Sequence, residues 1–226
     1  MVIQLGPAIV FSMIRYFPLF FYSKILDKPL KQEDFAVEKP AQRLAYLMVI
    51  IHCAKCLFET LSIHHFSKPT MANTKLAWHS ARSWSLFGIN TGFYLFHPDY
   101  TQPHWYGFGT LPYYGILVAY IFTQLLNLQC HLHLRKVHDL NQTLPSSKHI
   151  IPTEHGFHMV TCANYFWEFL AYILFTISTQ SIASVVFLLI VFLDLNRKAQ
   201  RKHWSYIAKF KHDYPSTRTA FLPYLI

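Results

Sequence analysis

Residues 158–176 read HMVTCANYFWEFLAYILFT. The stretch is apolar and long enough to form a membrane helix. Within one and a half turns, however, it carries an amide, a phenol and a carboxylate, at Asn164, Tyr165 and Glu168. A charged side chain near a bilayer centre costs about 3 kcal/mol on insertion scales, so such a residue is expected to have a partner or a task. The rest of the chain is read for that partner.

The composition points to the same solvent. Of the 226 residues 53% are hydrophobic, 17% aromatic and only 14% charged, a balance too apolar and aromatic for an ordinary soluble domain. Several apolar runs approach the roughly 20 residues that cross a bilayer. The expected fold class is all-α: a polytopic membrane protein of about six transmembrane helices around an intramembrane cavity. The net charge of +9 does not point to nucleic acid, because the basic residues gather in loops and in the last 30 residues, flanking apolar runs as cytoplasmic membrane loops do. The cysteines Cys53, Cys56, Cys130 and Cys162 lie within or beside apolar segments and read as small buried thiols. Cys53 and Cys56 have no second pair that would make a metal or redox motif. No signal-peptide cleavage pattern follows the first apolar run, which is kept as a span.

Outward from the central stretch, polar residues recur at helical spacing. The run from Pro112 to Leu134 carries Gln124, Asn127, His131 and Arg135 at intervals of three, four and four, a stripe on one face. The run from Leu44 to Ile63 carries His52, Lys55 and Glu59 in the same way. Further spans are read at Leu5–Tyr22, at Ala81–Phe96 with Asn90 and Tyr94 four apart, and at Ile182–Leu195, which is apolar all round. Lys24–Arg43, His64–Met71, Asp99–Gly109 and Lys136–His155 are the connecting loops. The loop 99–109 holds Tyr100, Trp105 and Tyr106 and no Lys or Arg, which suits a non-cytoplasmic interface. The basic run at 196–206 then places the C-terminal tail in the cytosol, although the first loop, with five Lys or Arg, pulls the other way.

Burial requires the stripes to face one another around a shared interior. Hydrogen-bonded glue between helices accounts for any one of these residues; all of them together ask for more. Arg135, His131, Arg197, Lys202, His203 and Arg218 crowd one mouth of the interior with groups that bind phosphate. A tyrosine deeper in is a general acid that stays protonated at neutral pH. A polyanion at the mouth and a proton donor inside describe a cofactor-using enzyme that acts on a lipid. There is no GxGxxG for a Rossmann cradle, and no HExxH or other convincing metal spacing among the 14 histidines.

LNLQCHLHLR at 126–135, TCANYFWEF at 161–169, KHWSY at 202–206 and DYPSTRTAFLPYLI at 213–226 resemble the C-terminal domain of the steroid 5-alpha-reductase family. Within it, CAKCLFETLSIHHFSKPTM at 53–71 and GFYLFHPDYTQP at 92–103 resemble the very-long-chain trans-2-enoyl-CoA reductases. The resemblance runs in order along nearly the whole chain. It implies a single membrane-embedded reductase domain over 1–226, with the family's C-terminal region at about 76–226. It further implies an endoplasmic-reticulum enzyme for the last step of fatty-acid elongation, using NADPH to saturate the trans-2 double bond of an enoyl-CoA, alongside other elongation enzymes. Hydride goes to the β carbon and a proton to the α carbon. Residue by residue, Tyr165 matches the tyrosine of the NYxxE motif as proton donor, and Tyr94 a tyrosine that reaches the substrate carbonyl. Lys55 and Glu59 match polar positions of the second span and stand with Tyr165 and Tyr94 as catalytic candidates, a structural role being the alternative for Lys55. Asn127, His131, Arg135, Asn164 and Glu168, with Lys202, His203, Tyr206, Tyr214 and Arg218 in the tail, match the surroundings of the cofactor.

The sequence departs from the pattern in three places. Relatives carry a ubiquitin-like domain ahead of the first span, whereas this sequence starts almost at the span. Ile3 and Gln4 stand before Gly6-Pro7 where relatives have a glutamate, and His138 stands where they have arginine. A 3-oxo-4-ene steroid or polyprenol reductase and a non-catalytic subunit of an elongation complex are the competing readings.

Overall fold

The computed structural model describes residues 2–22, 35, 38–63, 87–145 and 148–224. The connector His64–Met71, residues 81–86 of the third expected span, most of the first loop and the side chains of Ile3 and Gln4 lie outside the described residues. What is described is helical, and the one bridge between extended residues, Val160 with Thr219, is isolated.

Prolines punctuate the N-terminal half. Helix α1 (Val2–Tyr16) stops at Phe17, because Pro18 disfavours a helical residue before it, and Pro18 opens the short α2 (Pro18–Tyr22). The first expected span is therefore two pieces. Pro40 starts α3 (Pro40–Ser62), where Gln42 accepts the Lys39 N–H at 2.7 Å and donates to the Leu95 carbonyl at 2.8 Å. This pins the end of α4 (residues 87–95) to the start of α3. Gly88 and Gly92 bring α4 against α1: a Cβ on Gly88 would meet Pro7 Cα at 3.2 Å, and one on Gly92 would meet Ile14 Cδ1 at 3.1 Å.

Helix α5 (Leu111–Thr143) continues well past the expected span end at Leu134. Hydropathy fell at Lys136, but the helix did not, because polar residues at i, i+4 carry it onward: Arg135 with Asp139 at 3.7 Å and His138 with Gln142 at 2.9 Å. Helix α6 (Ala163–Thr179) starts later than the apolar run, and residues 158–162 form a turn. Helix α7 (Ile182–Phe210) is begun by Ser181, whose Oγ accepts the Ser184 N–H at 3.1 Å. It runs unbroken from its apolar half through the basic stretch expected as tail, supported by Lys198 and Asp194 at 2.7 Å.

Among the described residues, α3 and α5 are long and apolar enough to cross a membrane. Only 33% and 22% of their most apolar windows are buried, too little for core helices of a soluble protein. Leu111, Val118, Phe122 and Leu125 on α5, and Ile182, Leu189, Ile190 and Leu193 on α7, are exposed. Such an apolar surface suits lipid rather than water. Helix α6 sits between α5 and α7, and α3 packs on α1, α5 and α6. The main core joins Phe11, Ile14, Leu44, Met48, Leu95, Tyr120 and Phe175. Tyr100 and Tyr106, from the aromatic loop, donate to the Thr179 and Ser178 carbonyls at 2.6 and 3.1 Å and so close the far end of α6.

Candidate active site

The other end of α6 opens on a cleft of about 660 Å³. Its walls are Ile63 at the end of α3, the second half of α5, residues 149–152, the first turn of α6 and the second half of α7. His131, Arg135, His138, His149, Lys202 and Lys209 line it, and among the described residues no Asp or Glu does. Asn164 and Tyr165 form part of the wall. The side chain of the α6 N-cap residue, Cys162, makes no capping hydrogen bond, and Cys162 also lines the cleft. The positive end of the α6 dipole therefore adds to the basic lining and favours an anion.

The chain's return creates the back wall. Thr161 N–H donates to the Thr219 carbonyl at 2.8 Å, Thr219 N–H to the Met159 carbonyl at 3.2 Å, and Cys162 N–H to the Ala220 carbonyl at 3.3 Å. These bonds hold Tyr214 and Arg218 against the start of α6. Thr161 Oγ1 lies 2.6 Å from His203 Nδ1 and 2.5 Å from the Tyr214 hydroxyl, which is 3.1 Å from the same imidazole nitrogen. Burial, and then the charge of Arg218, push the His203 pKa down; burial pushes that of Tyr214 up. Arg218 is 4% exposed, with its guanidinium 5.5 Å from the Tyr214 ring centroid. Among the described residues its Nε and Nη1 find no hydrogen-bond partner, and burial lowers its pKa. A buried cation with two unpartnered donor nitrogens beside a basic cleft fits a phosphate oxygen.

Deeper in, Lys55 Nζ is 3.2 Å from Glu59 Oε1 and donates to Asn127 Oδ1, while Asn127 Nδ2 donates to the Asn164 carbonyl at 2.7 Å. One buried amide thus ties α3, α5 and α6 together. Arg135 donates to the Ser62 carbonyl, closing the same three-helix junction at the cleft.

The structure therefore gathers His131, Arg135, Asn164, Tyr165, Lys202 and Tyr206 on the cleft, with His203, Tyr214 and Arg218 behind it. Asn127, Lys55 and Glu59 form the packing junction beneath. Glu168 turns toward Tyr172, whose hydroxyl is 3.5 Å from Oε1. Tyr94 is not brought to the cleft: it is 56% exposed near the end of α4 that Gln42 fixes. Sequence reasoning passed over His149 and Lys209; His138, noted as standing where relatives have arginine, does line the cleft. Lys209 and His149 are 2.6 Å apart, yet 60 positions separate them in sequence and no local spacing signals the pair. Tyr172 was legible, one turn beyond Glu168 on the stripe already recognised.

Residues 76–226 match the family described as 3-oxo-5-alpha-steroid 4-dehydrogenase, and the chain belongs to that family of oxidoreductases. Among relatives, a probable very-long-chain enoyl-CoA reductase of Caenorhabditis elegans is 30% identical over 227 residues, 98% of this chain and 68% of that protein. A very-long-chain enoyl-CoA reductase of Dictyostelium discoideum is 29% identical over 230 residues, 99% of this chain and 73% of that protein. The steroid 5-alpha-reductase DET2 of Arabidopsis thaliana is 38% identical, but over 77 residues, 34% of this chain and 29% of that protein.

Proposed function

We propose that the protein is an NADPH-dependent reductase that saturates the trans-2 double bond of long- and very-long-chain enoyl-CoA, the last step of fatty-acid elongation. The observation that carries the reading is the cleft with six basic residues and, among the described residues, no carboxylate and no partner for Arg218 Nε and Nη1 behind it, opening on Tyr165. NADPH, when bound, supplies the hydride for the β carbon. His131, Arg135, Lys202 and Arg218 would hold its phosphates, with His203, Tyr206 and Tyr214 shaping the wall that positions them. Asn164 and Glu168, on the first turns of α6, are assigned to the cofactor side.

Tyr165 holds a proton on its phenol oxygen and gives it to the α carbon as the enolate collapses. The α6 N-terminus favours negative charge developing nearby. Lys55, Glu59 and Asn127 fix the three helices so that Asn164 and Tyr165 keep their place. The lipid substrate suits about six spans in the endoplasmic-reticulum membrane with the basic end of α7 in the cytosol, where other elongation enzymes would be partners. The relatives matched along nearly the full chain bear the enoyl-CoA name and the steroid-named one is matched over a third, which favours the thioester over the steroid.

The test is NADPH oxidation by purified protein with trans-2-enoyl-CoA substrates of increasing length and with a 3-oxo-4-ene steroid. Turnover of the thioester, largely abolished by Tyr165→Phe in a protein that still folds, is the expected result. A folded wild type inert to every enoyl-CoA overturns the proposal.

A further inference from the structure

Beneath the cleft, one buried tyrosine hydroxyl stands between a carboxyl group and an imidazole from different helices. Tyr172 on α6 lies with its oxygen 3.5 Å from Glu168 Oε1, one turn back on the same helix, and 3.3 Å from His52 Nε2 on α3. His52 Nδ1 is 3.3 Å from Gln124 Oε1 on α5, and Cys56 Sγ is 3.5 Å from Nε2. Tyr172 is buried, and its ring centroid is 5.6 Å from that of His52.

Counting protons shows what this can do. A phenol has one proton, and here it faces two acceptors. The amide oxygen of Gln124 calls for the proton on His52 Nδ1, which leaves Nε2 as an acceptor for Tyr172. In that state a protonated Glu168 donates to the Tyr172 oxygen. In the alternative state Tyr172 donates to a Glu168 carboxylate and accepts from Nε2–H of an imidazolium. The two states interconvert when the Glu168 O–H bond breaks as a new O–H forms on Tyr172, while the old Tyr172 O–H breaks as N–H forms on His52. One proton moves from the carboxyl group to the imidazole, and the phenol is regenerated.

We infer that Glu168, Tyr172 and His52 form a proton-sharing chain that sets the charge of Glu168, three residues from Tyr165 on the same helix. The surrounding groups fit that role. On α3, Lys55 is held by Glu59 and Asn127, and Cys53 and Cys56 are thiols. On α5 the Tyr120 hydroxyl donates to the Met48 carbonyl at 2.9 Å. On α7 Lys198 is paired with Asp194. Pro7 of α1 and Phe87 of α4 close the His52 side with apolar surface. Under the reductase reading, on which this role depends, the chain lets the carboxyl stay neutral while negative charge passes through the site. Tyr172 and His52 are positioning residues here.

Two measurements on the full chain in detergent test this. The first needs no substrate: infrared difference spectra recorded against pH. A protonated-carboxyl band that disappears in Glu168→Gln is expected, and in Tyr172→Phe that band moves and titrates at a different pH. A band in Tyr172→Phe that matches wild type in position and titration overturns the chain. The second is the pH profile of NADPH-dependent enoyl-CoA reduction. Tyr172→Phe and His52→Gln are expected to displace one limb of the kcat profile by on the order of one pH unit, the preference one hydrogen bond exerts for a charged form, with KM little changed. A wild-type kcat profile in both variants also overturns the chain and leaves the reductase reading standing. An inert wild type overturns the reductase reading, and the infrared result still decides the chain.

Discussion

Asn127 is the residue whose loss tests the architecture most directly. It is 1% exposed, accepts from Lys55 and donates to the Asn164 carbonyl at 2.7 Å. Asn127→Leu keeps the number and branching of the side-chain heavy atoms and removes both interhelical hydrogen bonds. Such bonds in membrane proteins average about 0.6 kcal/mol and reach about 1.7 kcal/mol, so the pair is worth about 1.2 kcal/mol and at most about 3 kcal/mol. Lys55 keeps Glu59 at 3.2 Å and is not left an isolated buried charge, which favours the lower figure. For a chain of this size that is a fall in Tm of roughly 2–5 °C. The buried free thiols Cys53, Cys130 and Cys162 give the assay, since a thiol-reactive dye labels them as the helices separate on heating. Asn90→Leu, on the exposed side of α4, is the control and should shift Tm by less than about 1 °C. If Asn127→Leu and the control behave alike, the three-helix junction is not what holds α6 in place.

Two further predictions concern the back wall. Arg218→Leu should weaken NADPH binding, read by fluorescence titration, on the order of 10- to 100-fold, the value of charge-assisted hydrogen bonds to a phosphate; Arg218→Lys should not restore it, because it lacks the planar fork. Unchanged affinity in Arg218→Leu would remove this residue from the site. His203 has a pKa lowered by burial and then by Arg218, so the unfolded chain takes up the proton first as pH falls. Its contribution to stability is present above the unfolded value of 6.5 and is lost as pH falls from there toward the folded pKa. His203→Gln should flatten the loss of stability below pH 6.5, measured by thermal unfolding against pH; an unchanged slope would show that another group is responsible.

The i, i+3 and i, i+4 spacing on α5 and α6 was enough to find the groups that meet, because helical geometry fixes which residues share a face. It could not say which would do chemistry. Asn127 is locked between helices while His131 and Arg135, four and eight residues on, reach the cleft. Tyr94 shows the opposite case. The resemblance placed Tyr94 at the substrate carbonyl, yet Gly88 and Gly92 let α1 approach α4 closely, and Asn90 and Tyr94 lie on the exposed side of α4. Hydropathy also misplaced the ends of α5 and α7, since a helix continues on polar ion pairs after the bilayer-like stretch stops. The burial of Arg218 rests on the bonds between residues 159–162 and 219–220, a long-range closure that no local pattern announces.

Helix α7 makes the protein a gauge of distance. Its 29 residues form a rod of about 43 Å, with Ile182 and Leu189 exposed near one end and Lys202, Tyr206 and Lys209 on the cleft near the other. The depth at which the apolar end settles therefore fixes the height of the basic cleft above the bilayer surface. Bilayer thickness becomes a variable that a wholly soluble protein does not sense: a thicker or thinner membrane would raise, lower or tilt the basic cleft relative to the acyl chains in the lipid.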